Sequence, residues 1–367
     1  MKKVLITGVT GQDGSNMVDY LLANTENTVI GGVRRLSVSN HDNISHLANE
    51  PRFKLIDLDV TDQINTTLII QEEKPDYFIN FAANSFVGTS WQMPVQHMMA
   101  NALPVMYQLD AIRRFAPNCR YYNAGSSEQF GNVDYSPQDI NHPFKPRSPY
   151  GISKCTAHHI VKVWRESYGL YAVQGLLFNH EDVRRGEEFV TRKITKGVAR
   201  IKHAMDRSIP FEPLFLGNLE AKRDWSDSED FVDGIWKMLR QEKHNKDLKK
   251  LPSRATNYNK LIKDYVLSSG ETHSIKEFVE VAFATLGING EWVGSDEKTR
   301  YNIDRNGIID PVVKVDKKFY RPNEVELLWG DSSPIWNDLG WEPKVKFKGL
   351  VEKMVRHDYE ETKCEGL

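Results

Sequence analysis

Tyr150 and Lys154 stand four apart in RSPYGISK, the stretch over 147–154. Ser148 has the chemistry of a helix N-cap and Pro149 that of a first helical residue, so phenol and ammonium fall on one face of the following helix. A lysine ammonium beside a phenol favours the phenolate. That makes a general base usable near neutral pH. A solvated surface pair has the same spacing, and what distinguishes this one is its company. Ser126 and Glu128, in YYNAGSSEQFG, place a hydroxyl and a carboxylate just after a predicted strand, and a glycine-rich turn opens the chain.

The elements that must position these groups follow from the hydrophobic pattern. KKVLITG reads as a buried strand running into Gly8-x-x-Gly11-x-x-Gly14, and NMVDYLLA then shows helical spacing. Glycines there let the backbone turn tightly and approach a pyrophosphate at the positive end of the helix. The spacing resembles that of short-chain dehydrogenases. TVIGGVRR is a second strand. It ends in Arg34 and Arg35, where NAD-binding chains carry an acidic residue for the ribose 2′-hydroxyl. Two guanidinium groups suit a 2′-phosphate and favour NADP; two solvated arginines after a strand are the plain alternative. RFKLIDLDV, DYFINFAA and RYYNAGSSE are the third to fifth strands, a helix over 95–115 carries Asn101, and another spans 149–168. LYAVQGLLFNH is a further strand ending in Asn179 and His180. Asp59 is placed to hold an adenine amino group, and the small Ala82 and Ala83 let a cofactor lie close to the backbone. This alternation predicts an α/β fold with a doubly wound parallel sheet. Ligands of such sheets bind beyond the carboxyl ends of the strands, where Gly8, Asn80, Ser126 and Asn179 fall.

A chain of 367 residues exceeds one typical core, so about two domains are expected. Residues 1–180 read as a dinucleotide-binding domain to which later segments return. Residues 181–367 read mainly as a smaller α/β domain, with 243–260 a polar surface insertion. A charged fraction of 27%, a hydrophobic fraction of 40% and a net charge of -2 are those of an ordinary soluble chain. The balance offers nothing to nucleic acid as a main partner, and the run of Lys246, Lys249 and Lys250 reads as a solvated loop. Cys119, Cys155 and Cys364 are unpatterned, which argues against a disulfide framework or a metal site and for the reducing cytoplasm. The first seven residues read as a strand and not a signal peptide. No window approaches the roughly 20 apolar residues of a membrane helix. Arg184, Arg185, Arg192, Arg223 and Arg321 recur in the second half near Asn179 and Lys193. Forked donors suit phosphate, so a diphosphate-bearing ligand is expected.

The segments VLITGVTGQDGS, SSEQFG, PRSPYGISK, LLFNHEDVRRGEEFVTRKI, GNLEAKRDW, SGETHS and RPNEVELLWGD together resemble the GDP-mannose 4,6-dehydratases, a branch of the extended short-chain dehydrogenase/reductases. The likeness covers nearly the whole chain. The glycine turn and Y-x-x-x-K belong to the superfamily, whereas LFNHE…RRGE.FVTRKI and GNL.AKRDW are narrower and point to the GDP-mannose branch. The resemblance implies a Rossmann-type domain, a retained NADP and a redox-neutral loss of water from GDP-mannose, giving GDP-4-keto-6-deoxymannose. Tyr150 and Lys154 would act at the sugar 4-hydroxyl, Ser126 would hold the 4-oxygen, and Glu128 would take the C5 proton and protonate the leaving O6. Implied cofactor contacts are Gly8, Gly11, Gln12, Asp13, Gly14, Arg34, Arg35, Asp59, Val60, Ala82, Ala83, Tyr150, Lys154, His180 and Arg185. Implied nucleotide-sugar contacts are Ser85, Asn179, Val190, Lys193, Leu216, Gly217, Arg223, Arg321 and Glu324, with the arginines toward the diphosphate and Glu324 toward the guanosine.

In the family the loop after the second strand reaches a neighbour's cofactor site, so a homo-oligomer, dimer or tetramer, is implied. The chain departs from the family pattern at Ser126 for threonine, Gly125 for serine, Phe86 for histidine, and in the altered loop LSVSNHDN. A GDP-manno-heptose 4,6-dehydratase would share all these motifs. A nucleotide-sugar 4-epimerase would keep Tyr150, Lys154 and the glycines without needing Glu128, and the full set of Ser126, Glu128, Tyr150 and Lys154 argues against a non-catalytic NADP-binding regulatory protein.

Overall fold

A computed structural model describes residues 1–245, 248, 261–305, 307–320, 323 and 325–364. Most of the expected insertion over 243–260 lies outside them, as do Arg321 and Glu324.

The strands that carry the site are β1 (Lys3–Thr7), β2 (Thr28–Val33), β3 (Phe53–Asp57), β4 (Tyr77–Asn80), β5 (Arg120–Ala124) and β6 (Ala172–Leu177). Beyond them come β7 (Asn179–Glu181), β8 (Leu214–Leu216), β9 (Lys222–Arg223), β10 (Trp225–Asp227) and β11 (Tyr265–Leu267). The seven-stranded sheet runs in the order β11-β6-β5-β4-β1-β2-β3. Every pairing in it is parallel. Successive residues of a strand point to opposite faces, and each face here meets its own core. Val4, Ile6, Tyr122 and Val173 enter one cluster, and Leu5, Phe78, Tyr121 and Ala172 the other. Strand order reverses between β1 and β4, so the loops leaving these two neighbours diverge and open a crevice at their carboxyl ends.

Helices α1 (Gln12–Asn24), α2 (Gln63–Glu73), α3 (Pro94–Asn101), α4 (Leu103–Phe115) and α5 (Pro149–Tyr168) connect these strands. The helix expected over 95–115 is thus two. Pro104 sits in the first turn of α4 and has no N–H to give to the carbonyl four residues back, so the ladder restarts at Ala102. In α5 the Ser148 side chain accepts from the Gly151 N–H at 3.0 Å and Pro149 opens the helix, as the sequence predicts. Its buried residues, among them Tyr150, Lys154, Ala157 and Val161, recur at helical spacing. The helix ends on Gly169 at φ 65°.

The strand expected over LYAVQGLLFNH also divides. β6 stays in the large sheet; after Phe178, whose N–H is held by the Leu267 carbonyl at 3.0 Å, β7 leaves to pair with β10. Asn179 and His180 are therefore turned away from the sheet edge and over the crevice side of α1. The second half adds α6 (Val190–Asp206) and α7 (Ser228–Met238). A third cluster, with Ile194, Trp225, Phe278, Tyr301 and Phe347, lies beneath β8 and β10 and the helix Phe347–Cys364. β11 returns to the large sheet beside β6. Among the described residues no helix is long and apolar enough to cross a membrane.

Candidate active site

The turn after β1 is shaped by what glycine lacks. Gly8 has φ +69°, and a Cβ there would come 2.8 Å from the Ala82 nitrogen; on Gly14 it would come 2.2 Å from the Gly8 carbonyl oxygen. Those approaches bring the start of α1 against β4 and leave a pocket of about 360 Å³ over the carboxyl ends of β1 to β4. Gly8, Gly11, Gln12, Asp13, Gly14, Arg34, Asp59, Val60, Ala82, Ala83 and Arg185 all line it. Ser85, expected at the sugar, lines it too, as do Thr61 and Asn84, which carry no motif, and Thr10, which the glycine spacing leaves unspecified. Arg35 is exposed and does not reach the pocket wall. Both arginines are exposed and follow the end of β2 at Val33, and only Arg34 reaches the pocket. Asp59 is not free for a ligand's amino group through both oxygens, since Oδ1 accepts from the N–H and hydroxyl of Thr61 at 2.9 and 2.7 Å. A cradle that a Cβ would fill, at the N-terminus of a helix with no side-chain cap, fits the pyrophosphate of a dinucleotide.

His180, expected at the cofactor, is not on the pocket wall; it stands behind Gln12 and Asp13, which are. Its Nδ1 faces the Phe178 carbonyl at 2.7 Å and its Nε2 the Asp13 carboxylate at 2.9 Å. Burial opposes both charges, yet the pair overcomes it: His180 is raised above its ordinary value and Asp13 held below the usual carboxylate range, with hydrogen bonds from Gln12 and Ser228 adding to the latter.

Tyr150 and Lys154 are both buried on the face of α5 that meets β5. Tyr150 shares a hydrogen bond with Ser126. Lys154 donates from Nζ to the Ala124 carbonyl at 2.7 Å, with its ammonium 5.7 Å from the Tyr150 ring centroid. The sequence predicts a phenol whose acidity the lysine increases, and the protein differs. Burial pushes Tyr150 up to about 12, against the bond from Ser126, and burial brings Lys154 down to about 8. The reason is desolvation: both groups lie in a dry interior, which disfavours phenolate and ammonium alike.

Ser126 caps a short 3-10 turn, Ser127–Gln129. Its Oγ accepts from the Glu128 N–H at 3.2 Å and its own N–H donates to the Gln129 side chain at 3.0 Å. The turn presses against α5: a Cβ on Gly151 would lie 2.7 Å from the Glu128 carbonyl oxygen. The charge of Glu128 acts on Tyr150, as does that of Arg185. Hydroxyl, carboxyl, phenol and ammonium thus converge beside the dinucleotide pocket. Asn101 fixes the remaining wall, donating to Ser153 Oγ and the Asn84 carbonyl, each at 3.1 Å, and accepting from the Asn84 N–H at 2.8 Å.

The expected substrate residues form two further groups. Asn179 Oδ1 is a buried acceptor without a hydrogen-bond partner among the described residues. Nearby, Arg185 is held by Glu181 at 3.0 Å and stacks 3.6 Å from the centroid of Phe189, which precedes Val190 and meets Phe86 edge to face at 5.7 Å. Lys193 lies farther along α6. It donates to the Phe215 carbonyl at 2.7 Å beside Leu216 and Gly217, and its ammonium sits 3.4 Å from the Phe319 ring centroid. Burial and then Lys318 lower it to about 8. Arg223, on β9, donates to the carbonyls of Lys222 and Glu326 at 2.9 and 3.3 Å.

Comparison with known proteins agrees with this geometry. The family model described as GDP-mannose 4,6 dehydratase matches residues 5–354. The chain is 40% identical to a GDP-mannose 4,6 dehydratase of Drosophila melanogaster, across 98% of this chain and 86% of that one. It is 38% identical to the GDP-mannose 4,6-dehydratase of Vibrio cholerae serotype O1, across 100% of this chain and 96% of that one. The structure of a dTDP-glucose 4,6-dehydratase from Bacillus anthracis in complex with NAD superposes with a TM-score of 0.75 at 18% identity, covering 99% of this chain and 98% of that one. At that identity the likeness is one of fold.

Proposed function

From the premise that the chain belongs to the GDP-mannose 4,6-dehydratase family, we propose how its own residues carry out that hydro-lyase reaction, from GDP-D-mannose to GDP-4-keto-6-deoxy-D-mannose and water. The observation that carries the reading is the convergence of Ser126, Glu128, Tyr150 and Lys154 beside the pocket at the glycine turn. Residues 1–180, with β11, form the cofactor-binding part, and those after 180 mainly the nucleotide-sugar part.

The cofactor this reading implies is NADP: Gly8, Gly11 and Gly14 would hold its pyrophosphate and Arg34, on the pocket wall, its 2′-phosphate. Its contribution is to accept hydride from C4 and return it to C6. The chain's residues handle protons and position. Tyr150 takes the 4-hydroxyl proton, with Lys154 supplying positive charge and Ser126 holding the 4-oxygen. The 4-ketone acidifies C5–H, and Glu128 removes that proton. The same carboxyl protonates O6 as water leaves, so C5 and O6 must lie on its side of the ring; once hydride is back at C6, C5 takes up one proton, equal in number to the one Tyr150 removed from the 4-hydroxyl, and the site regains its starting protonation. Asn179, whose buried oxygen has no partner among the described residues, accepts from the nucleotide sugar. Lys193 and Arg223 face the diphosphate as cationic donors.

The chain acts as a homo-oligomer in the cytoplasm. Support for the first is an apolar stripe left exposed on adjoining helices: Met99 on α3, Met106 on α4, and Ile152 and Val163 on α5. Support for the second is Cys119, buried and free.

The decisive experiment incubates purified protein with GDP-mannose and NADP+ and follows mass. Loss of one water per sugar is expected. Release of a 4-epimer of unchanged mass, or turnover of UDP-glucose in preference, would replace this reading by the epimerase one.

A further inference from the structure

Thr7, Asn80, Asn123 and Gln174 are register partners on β1, β4, β5 and β6. Their buried side chains join into one line across the sheet. Thr7 Oγ1 donates to Asn80 Oδ1 at 2.7 Å, Asn80 Nδ2 to Asn123 Oδ1 at 2.9 Å, and Asn123 Nδ2 to Gln174 Oε1 at 2.8 Å. Gln174 Nε2 then reaches Gln129 Oε1 at 3.1 Å, the same oxygen that receives the Ser126 N–H. Gln108 braces the line by donating to Asn80 Oδ1 at 3.0 Å while accepting from the Tyr121 hydroxyl at 2.7 Å.

Apolar side chains would fill a sheet interior at lower desolvation cost. What a line of amides adds is direction. An amide can present its oxygen or its nitrogen, but a backbone N–H can only donate. The Ser126 N–H therefore fixes Gln129 with its oxygen toward the turn. Gln174 must then offer its nitrogen to that oxygen, Asn123 its nitrogen to Gln174, and Asn80 its nitrogen to Asn123. Asn80 is left with its oxygen toward Thr7, whose own Oγ1 accepts the Ala82 N–H at 3.3 Å and which precedes Gly8. Aligned bonds of this kind polarise and stiffen one another.

We propose that Gln129, Gln174 and Asn123 are positioning residues, and that the amide ladder they form holds the Ser126–Glu128 turn in register with the glycine turn at Gly8. The proposal rests on the dehydratase reading of Ser126 and Glu128. Its consequence is that the hydroxyl and the carboxyl meet the sugar at a height set by the cofactor cradle, two strands away.

The test replaces the last rung. Gln129→Met keeps the side chain's length and removes its acceptor; Gln129→Glu restores an acceptor for both Ser126 N and Gln174. In Gln129→Met, kcat for GDP-mannose dehydration should fall about 10- to 100-fold with KM held within about threefold, since misplaced groups cost turnover more than binding. Amide exchange should quicken in peptides covering residues 125–130. Gln129→Glu should recover at least about tenfold of a lost hundredfold and restore protection. Wild-type kcat in Gln129→Met, a loss confined to KM, or unchanged exchange would overturn the proposal. Should Gln129→Met not fold, Gln174→Met serves: it leaves the Ser126–Gln129 bond in place and should cost about 3- to 10-fold in kcat, no loss being the overturning result. If the wild-type protein itself does not dehydrate GDP-mannose, the dehydratase reading fails, while the exchange pattern still decides the ladder.

Discussion

His180 and Asp13, 167 positions apart in the chain, form an ion pair with Nε2 and Oδ2 separated by 2.9 Å. It ties β7 to the first turn of α1, behind the glycine turn. Because the folded His180 binds its proton more tightly than an unfolded histidine, its contribution to stability is full below roughly pH 6.5, the unfolded value, and is lost as pH rises through the raised folded one. The depressed Asp13 contributes above about 3.8 and is lost only in acid. Melting curves of wild type and His180→Gln should therefore differ most between those two values and converge once pH has passed the raised folded value. A gap that widens toward alkaline pH would contradict the pairing.

Tyr150→Phe keeps ring packing and removes the base. The rate should drop about 10²- to 10⁴-fold, with no reduced nicotinamide appearing on addition of GDP-mannose. Glu128→Gln should stall later: absorbance of reduced nicotinamide rises and stays, with little product. If Glu128→Gln turns over normally, no carboxyl is needed at C5 and the chemistry is epimerisation.

Burial holds the Tyr150 phenol at about 12 and Lys154 at about 8, so the ammonium is needed most where hydroxide is scarce. Lys154→Met should slow turnover about 100-fold at pH 7, and the ratio to wild type should narrow toward pH 10 as free hydroxide replaces the lost assistance and Lys154 itself discharges. A ratio constant with pH would mean that Lys154 acts only by packing.

Arg34 lines the pocket and Arg35 does not. Titration should show Arg34→Ala weakening NADP+ about 10- to 100-fold and NAD+ less than about threefold, as loss of a forked phosphate contact would. Arg35→Ala should change either by less than about threefold. The reverse ranking would place the 2′-phosphate elsewhere.

Ile152 and Met99 are each half exposed on adjoining helices. Charges there should break an interface built on that stripe. Light scattering should give the mass of an oligomer for wild type and a lower one for Ile152→Glu/Met99→Glu. An unchanged mass would move the interface off α3 and α5.

Much of the site was legible because it depends on local chemistry. The glycine turn, the cap at Ser148 and the four-residue step from Tyr150 to Lys154 are short-range patterns, and the structure keeps them all. Where tertiary contacts outweighed local preference the reading fell short. One helix became two at Pro104, one strand became two at Phe178, and Arg35 stays off the pocket wall although it follows Arg34 directly. Thr61 and Asn84 gave no signal because they reach the pocket through loops whose course no periodicity records.

By itself the order of residues determined which groups exist and which local turns hold them, since caps, glycines and helical spacing act within a few positions. Only the folded chain decided their state and aim. The acidity of Tyr150 and Lys154 is set by the dry interior around them, the charge of His180 by an Asp13 brought from the other end of the domain, and the direction of four amides by one backbone N–H at Ser126. Desolvation and long-range pairing depend on neighbours in space, which sequence proximity does not specify.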